Sequence, residues 1–328
     1  MTTPRLGAED VRGVFAIMPT PALDGADDPA MTDTVDYAET ERAVNALIAD
    51  GVDAIMTNGT FGEGATLTWP EHRAFADLVV RAAAGRVPVL VGATTLNTRD
   101  TIERARVFAG LGADGLLLGR PMWCYCDDVD LVKFYASVAE AVPELAIVVY
   151  DNPEAFKGKI SPGAYQAMSV IPQLVAAKYP GLGETFLSDL KAVDRQMRLL
   201  PVDRDWFTAW ERAPDETVAC WSGSASCGPR PHTQLWQKIR SGDRASAKTI
   251  SRELQDASAG FFPEGKFALF ARYNVQLEKI RIDEAGYMRA GPCRPPYTYC
   301  PPAYADGARE SGRRFAALNA RYLAQAAR

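Results

Sequence analysis

The sequence is poor in the side chains that build metal centres and histidine-dependent active sites. Its 328 residues include two histidines, His72 and His232. The six cysteines lack the paired Cys-x-x-Cys spacing of a zinc site, and we expect them to be free thiols. These scarcities argue against a zinc site and against a Ser-His-Asp triad. Acid–base chemistry would then fall to Lys, Tyr, Glu, Asp or bound water.

The sequence also lacks long apolar runs and clusters of basic charge. No apolar run approaches the ~20 residues that span a bilayer. The formal net charge is −5, with no dense group of Lys and Arg. We therefore expect neither a membrane nor a nucleic acid as partner. The first residues show no basic segment followed by an apolar one, so we expect a cytoplasmic protein without a secretory signal.

Hydrophobic residues make up 47% of the chain, which is ample for a large core. Between residues 12 and 242, short apolar runs alternate with amphipathic segments, the clearest of which cover 35–49, 70–83, 98–111 and 131–141. The eight runs are GVFAIMPT, VDAIMTN, VPVLVG, DGLLLG, LAIVVYD, LVAAK, MRLLPV and TVACWS. This alternation predicts a parallel sheet and, with eight units, a TIM (β/α)8 barrel. A doubly wound sheet is the alternative, but no Gly-x-Gly-x-x-Gly follows the first run.

The pattern changes after residue 242. We assign residues 1–242 to the barrel and residues 243–328 to a C-terminal helical region. Helical periodicity predicts helices over 244–259, 265–283 and 306–325. The stretch AGPCRPPYTYCPP lies between the last two, and its prolines predict an ordered irregular segment.

A lysine and a tyrosine end two neighbouring runs of the predicted barrel. Lys178 ends the sixth predicted strand and Tyr150 ends the fifth. The carboxyl ends of barrel strands form the active-site face, so both side chains should reach the same mouth. An amine in an apolar pocket loses its proton more easily and can form a Schiff base with a carbonyl. The alternative is a lysine that extends to the rim and pairs with Glu63, beside a tyrosine that only fills the mouth.

The segment after the second run, NGTFGEGATLTW, is rich in glycine. Its backbone N–H groups could approach an anion closely. A small carboxylate would dock on the Thr60 hydroxyl and on the N–H groups of Thr60 and Phe61. The alternative is a tight turn before a helix capped by Thr66 or Thr68. Taken with Lys178 and Tyr150, the segment predicts a site for a 2-keto acid.

These motifs resemble the pyruvate-dependent class I lyases and aldolases, a superfamily that includes dihydrodipicolinate synthase and N-acetylneuraminate lyase. Its Gly-[Thr/Ser]-[Thr/Ser]-Gly-Glu loop corresponds to residues 59–63, with Phe61 in place of the second hydroxyl residue. Its Tyr-Asn-x-Pro strand end corresponds to YDNP, its Schiff-base lysine to Lys178, and its Thr-Pro pair to Thr20 and Pro21. Where the synthase and lyase branches carry a tyrosine after strand four, this chain has RPMWCYC.

A narrower branch, the hydratase-aldolases of aromatic hydrocarbon breakdown, is more similar still. The stretches that carry this resemblance are GTFGEGATLTW, LGRPMW, YDNPEAFK, AAKYPGLG, CWSGSASCGP, YNVQLEK and AGPCRPPY. Known members act on trans-o-hydroxybenzylidenepyruvate or trans-2'-carboxybenzalpyruvate. The resemblance implies a hydratase-aldolase that releases an aromatic aldehyde and pyruvate. It implies no metal and no organic cofactor, and a homotetramer is expected.

The resemblance also suggests a role for each candidate residue. Lys178 would form the Schiff base and Tyr150 would shuttle protons, while Thr60 and the Phe61 N–H would hold the pyruvyl carboxylate. Phe61, Trp123 and Trp221 would form aromatic walls, although core packing is the alternative for the two tryptophans. Asn274 would reach the site from the C-terminal region, or else bond locally in its helix.

The ring substituent is the least determined feature. Gly64 would leave room for an ortho-carboxylate, which favours 2'-carboxybenzalpyruvate over the o-hydroxy compound; the alternative is that Gly64 only shapes the turn. An aldolase or synthase for aliphatic 2-keto acids is a second hypothesis, which Phe61 and Trp123 disfavour. A catalytically inactive small-molecule sensor is a third, which the joint presence of Lys178, Tyr150 and Thr60 disfavours.

Overall fold

The computed structural model describes residues 4–326, and its strands form one eight-stranded sheet. The strands are Gly13–Ile17 (β1), Ala54–Met56 (β2), Val89–Gly92 (β3), Gly115–Leu118 (β4), Ala146–Tyr150 (β5), Leu174–Lys178 (β6), Arg198–Leu200 (β7) and Ala219–Ser222 (β8). Their order is β7-β6-β5-β4-β3-β2-β1-β8, and a parallel bridge from Val202 to Trp221 follows β7 and meets β8. The predicted TIM (β/α)8 barrel is confirmed, and each predicted apolar run contains one strand.

Helices alternate with the strands and continue after β8. They are Tyr37–Ala49 (α1), Trp69–Ala83 (α2), Thr98–Leu111 (α3), Asp128–Ala141 (α4), Pro162–Ser169 (α5), Phe186–Val193 (α6), Trp206–Arg212 (α7), Arg230–Ser241 (α8), Arg244–Ala257 (α9), Phe267–Arg272 (α10), Asn274–Ala285 (α11) and Pro302–Ala326 (α12). Local signals explain several starts. In α2, for example, Thr68 and Glu71 form a capping box with proline in the first turn.

One predicted helix is wrong. The single helix expected over 265–283 is two helices, α10 and α11, which break at Tyr273, where φ is −125°. The Tyr273 ring packs edge-on against Tyr304, with centroids 5.7 Å apart. Both rings lie against a core cluster that includes Phe261 and Phe270. Apolar periodicity does not reveal this break, because the residues on both sides of it bury apolar side chains.

The described residues divide into two compact units. The first contains residues 4–13 and Pro88–Trp221, and the second contains Val14–Val87 and residues 222–326. Strands β3 to β7 and helices α3 to α7 belong to the first unit. Helices α1, α2 and α8 to α12 belong to the second. The boundary expected near residue 242 stays a prediction.

Within the second unit, α11 packs along α12, and a small aromatic core lies beside them. The segment between these helices has no helix or strand, as its prolines predict. Across residues 4–326, no helix combines the length with the apolar character that a membrane crossing needs.

Candidate active site

In the first unit, Lys178 and Tyr150 are paired across two neighbouring strands. Strands β5 and β6 run parallel, with Tyr150 opposite Lys178 in the register. Both side chains are buried, each at 7% relative exposure. The Lys178 Nζ lies 4.6 Å from the centroid of the Tyr150 ring and 3.4 Å from that of the Trp221 ring. The structure therefore places the lysine among aromatic rings, and the alternative of a lysine extended to the rim is wrong.

Trp221 is held in its position over this amine by a hydrogen bond. Its indole Nε1–H donates to the backbone oxygen of Tyr179, which directly follows Lys178, at 2.9 Å. The core-packing alternative for Trp221 does not account for this arrangement, because one face of the ring lies on a lysine amine. Contact between Trp221 and a substrate ring stays a prediction.

The YDNPEAFK stretch fixes the orientation of Tyr150. The Phe156 ring packs edge-on against the Tyr150 ring, with centroids 5.3 Å apart. Phe156 in turn fills the space next to Gly119, where any Cβ would overlap its ring. The Asn152 side-chain amide donates to the Tyr150 hydroxyl oxygen at 3.3 Å. The tyrosine hydroxyl is thus held at the strand end by a neighbour from its own loop.

A buried polar layer lies on the opposite side of these two strands, because successive strand residues point to opposite faces. The Tyr165 hydroxyl donates to Asp151 at 3.0 Å, and the Tyr179 hydroxyl donates to Asp189 at 2.5 Å. Burial raises the pKa of Asp151 to about 6, although the bond from Tyr165 acts in the opposite direction. Lys159 lies 3.6 Å from Asp189 and supplies a compensating charge. These bonds tie the residues next to Tyr150 and Lys178 to α5 and α6.

Trp123 lies on the loop after β4 and is exposed over 77% of its surface. The core-packing alternative for this residue is therefore wrong. Its backbone oxygen accepts a hydrogen bond from Lys157 Nζ at 2.6 Å. Tyr125, on the same loop, is exposed as well. Contact between Trp123 and a substrate ring stays a prediction.

In the second unit, the glycine-rich segment forms a tight turn. The Glu63 N–H donates to the Thr60 oxygen at 3.1 Å, and the Thr20 hydroxyl donates to the Gly62 oxygen at 2.8 Å. Glu63 itself adopts a left-handed backbone with φ of 56°. The Phe61 ring is buried and faces Gly223, where an added Cβ would lie 3.3 Å from the ring. Thr60 and Phe61 are therefore held on one short turn, as a carboxylate-binding loop requires.

The interpretation of Gly64 as room for a ring substituent is wrong. A Cβ at Gly64 would overlap the backbone oxygen of Asn58. Gly64 also donates its N–H to the Gly59 oxygen at 3.3 Å. The side chain is missing because two backbone segments of the turn approach each other closely.

Two cations that the sequence interpretation did not assign converge on Glu63. Lys279 Nζ donates to Glu63 Oε2 at 2.6 Å, and the Arg294 backbone N–H donates to Glu63 Oε1 at 2.7 Å. The Arg294 guanidinium also pairs with Oε2. Burial lowers the pKa of Lys279, although the Glu63 carboxylate acts in the opposite direction. Both cations lie in stretches that carry the family resemblance, YNVQLEK and AGPCRPPY, but nothing in one sequence indicates that they share a partner.

Asn274 is the first residue of α11, and its Oδ1 is buried without a hydrogen-bond partner among residues 4–326. The alternative that this oxygen is satisfied locally is therefore not supported. Within the described range, no group of three or more His, Cys, Asp or Glu side chains is arranged to hold a metal ion. The expected absence of a metal stays a prediction.

Comparison with known proteins identifies the family. Residues 27–305 match the profile of the dihydrodipicolinate synthetase family. The chain belongs to this family. It is 45% identical over 327 residues to trans-2'-carboxybenzalpyruvate hydratase-aldolase of Nocardioides sp. (strain KP7), covering 99% of this chain and 98% of the relative. It is 46% identical over 326 residues to trans-O-hydroxybenzylidenepyruvate hydratase-aldolase of Pseudomonas aeruginosa, covering 98% and 97%.

A solved structure described as PhdJ bound to substrate intermediate is also similar. It shares 50% sequence identity with a TM-score of 0.96, and the alignment covers 97% of this chain and 99% of that one. The chain is therefore an enzyme of the dihydrodipicolinate synthetase family, a hydratase-aldolase and a carbon–carbon lyase. These predictions are confirmed, whereas the roles of individual residues are proposals.

The first prediction concerns Gly64. Gly64→Ala should lower the free energy of unfolding by about 1–3 kcal/mol, because the added methyl forces the turn away from Asn58. Gly110→Ala is the matched control, since Gly110 lies in α3 with open space around it and the change should be neutral or stabilising. Urea denaturation of both variants measures the difference. Equal midpoints for the two variants would show that Gly64 is not sterically required.

Proposed function

We propose that this enzyme converts an ortho-substituted benzalpyruvate and water into an aromatic aldehyde and pyruvate, through a Schiff base on Lys178. The observation that carries the proposal is the buried Lys178 amine, opposite Tyr150 and under Trp221. An amine among aromatic rings is poorly hydrated, which favours the neutral nucleophile. The two hydratase-aldolases that are 45% and 46% identical to this chain support a benzalpyruvate as the substrate class.

The proposed reaction begins when the Lys178 amine attacks C2 of the keto acid. Water leaves, and the resulting iminium is conjugated with the alkene and the aromatic ring. This electron sink allows water to add at the benzylic carbon, with its proton passing to C3 of the substrate. Retro-aldol cleavage of the C3–C4 bond then expels the aromatic aldehyde and leaves an enamine of pyruvate. Protonation at C3 and hydrolysis of the iminium release pyruvate and restore the amine.

Tyr150 is the proposed proton shuttle of these steps. Its hydroxyl is positioned by Asn152 and its ring is clamped by Phe156. A hydroxyl held in this way can pass protons to and from the oxygen at C2 while the carbinolamine forms and collapses. A fixed donor is effective because it loses no orientational freedom during the reaction.

Thr60 and the Phe61 N–H are the proposed holders of the pyruvyl carboxylate, by resemblance to the family loop. The Asn274 side chain is a further proposed polar contact, which its unsatisfied Oδ1 supports. Trp221, Phe61 and Trp123 are proposed as aromatic contacts of the substrate ring. No metal and no organic cofactor take part in the proposal. The homotetramer, the cytoplasmic location and the absence of nucleic-acid or membrane partners stay predictions.

The choice between ring substituents no longer rests on Gly64. Sequence identity does not separate the two named relatives either, at 45% and 46%. We retain trans-2'-carboxybenzalpyruvate as the first candidate and the o-hydroxy compound as the second.

An aldehyde-release assay tests this function. We expect saturable release of 2-carboxybenzaldehyde from trans-2'-carboxybenzalpyruvate. For each ortho-substituted substrate, kcat/KM should be at least ~100-fold above that for an aliphatic 2-keto acid, because the aliphatic compound has no aromatic ring to bury. The aliphatic compound serves as the control for general aldolase activity. A higher kcat/KM for the aliphatic substrate would overturn the aromatic assignment.

Tyr150→Phe tests the proton shuttle. The ring packing on Phe156 is kept and the hydroxyl is lost, so kcat should fall by ~10²–10⁴-fold while the unfolding midpoint changes little. Tyr135→Phe is the matched control: Tyr135 is also buried, and its hydroxyl bonds only the Leu118 oxygen in the described contacts. Its kcat should stay within about twofold of wild type, because it takes no part in the chemistry. If Tyr150→Phe retained a normal kcat, another group or water would carry the protons.

A further inference from the structure

Arg294 is an arginine whose every guanidinium N–H group is used inside the protein. Its Nε–H donates to the Thr34 hydroxyl at 2.6 Å. Nη1 donates to the Thr20 oxygen at 3.2 Å and to Glu63 Oε2. Nη2 donates to the oxygens of Pro21 at 3.2 Å and Thr34 at 3.1 Å. Since a guanidinium carries five N–H donors in a fixed fork, this side chain is fully satisfied at 2% exposure.

These five bonds join the Arg294 side chain to three segments. Thr20 and Pro21 follow β1, Thr34 precedes α1, and Glu63 ends the GTFGE turn. Thr34 extends the network further, because its N–H donates to Glu71 at 2.9 Å. A lysine offers three donors on a flexible chain and cannot span this set.

Glu63 is the point at which the network meets the loop. A left-handed backbone is uncommon for a residue with a side chain, and it persists where the surroundings fix it. Both carboxylate oxygens of Glu63 accept bonds from Lys279 or Arg294. The Glu63 N–H then bonds the oxygen of Thr60, the residue proposed to hold the substrate carboxylate. The two cations therefore fix a turn that would otherwise be strained.

A purely stabilising role does not account for this arrangement. Buried ion pairs often contribute little net stability, because the desolvation of both charges offsets their attraction. The bonds instead fix an orientation, since each N–H of the fork has its own acceptor and the acceptors lie at residues 20–21, 34 and 63. These bonds hold Glu63, and the Glu63 N–H in turn bonds the oxygen of Thr60.

We propose that Arg294, assisted by Lys279, is a positioning residue for the substrate-carboxylate loop, so that the C-terminal segment AGPCRPPY determines how strongly the enzyme selects a free carboxylate. The proposal rests on the proposed function, in which that loop holds the pyruvyl carboxylate. Arg294 does not touch the substrate in this account. It acts through Glu63 on the orientation of the turn.

The test compares pyruvate with methyl pyruvate, which keeps the ketone and lacks the carboxylate charge. The full-length enzyme is incubated with increasing concentrations of each ketone in the presence of borohydride. The fraction of enzyme that carries the reduced adduct is measured at each concentration, which gives a half-saturating concentration for each ketone. In Arg294→Lys, we expect the value for pyruvate to rise about tenfold or more, the effect of losing one charge-assisted hydrogen bond between the reoriented loop and the substrate carboxylate. The value for methyl pyruvate should change less than about twofold, because the Schiff-base chemistry is untouched.

Arg230→Lys is the matched control. Arg230 forms a partly buried pair with Asp50 in the same unit and has no described bond to the loop. It should lower the melting temperature without changing the ratio of the two half-saturating concentrations. If Arg294→Lys does not fold, Lys279→Met is measured in its place. The half-saturating concentration for pyruvate should then rise relative to that for methyl pyruvate, as expected for Arg294→Lys.

The outcomes separate the inference from the proposed function. A selective loss for pyruvate in Arg294→Lys, or in Lys279→Met where the first does not fold, supports the positioning role. A parallel rise for both ketones, or an unchanged ratio, overturns it. No trapping of pyruvate by the wild-type enzyme would instead overturn the proposed function, because the Schiff base itself would be missing.

Discussion

The contact on which the proposed chemistry depends is the packing of one lysine amine against two aromatic rings. The Lys178 Nζ lies 3.4 Å from the Trp221 ring centroid and 4.6 Å from that of Tyr150. An ammonium ion can bind an aromatic face, yet the same rings displace the water that would otherwise stabilise its charge. The two rings thus hold the amine at the strand end. The parallel register that sets Tyr150 opposite Lys178 makes this arrangement a direct consequence of the sheet.

In the first unit, buried hydrogen bonds next to Tyr150 and Lys178 support this contact. Asp151 and Tyr179 are the chain neighbours of Tyr150 and Lys178, and both are engaged by buried hydrogen bonds on the helix side of the strands. Both bonds are made by residues that directly follow a strand end. In the second unit, the Glu63 carboxylate with Arg294 and Lys279 plays the corresponding part for the glycine-rich turn. Each unit therefore fixes one short segment of the candidate site through buried polar contacts.

Much of the fold follows from the sequence because the signals are local. Apolar runs of strand length and cap residues such as Thr68 determine the order of the elements, and each is visible in a few consecutive letters. The break at Tyr273 was not predicted, because it depends on packing against Tyr304, a residue far along the chain. Propensity and periodicity carry no information about such a distant partner.

In the candidate site, too, the features set by local sequence were predictable, whereas those set by contacts between distant segments were not. The strand-end positions of Lys178 and Tyr150 were predictable, because a barrel places functional side chains at the carboxyl ends of its strands. The interpretation of Gly64 failed because a missing side chain can reflect either an open pocket or a close backbone approach, and sequence alone does not distinguish them. The contacts of Arg294 were not predicted, because their acceptors come from segments that meet only in three dimensions.

The most direct test of this account is the location of the reduced pyruvate adduct. After incubation with pyruvate and borohydride, peptide mapping by mass spectrometry should place a single adduct on the peptide that contains Lys178. The adduct should be absent from Lys178→Ala, which should remain folded, and present in Lys191→Ala, since Lys191 is an exposed lysine of α6. An adduct on another lysine, or one that persists in Lys178→Ala, would contradict the account.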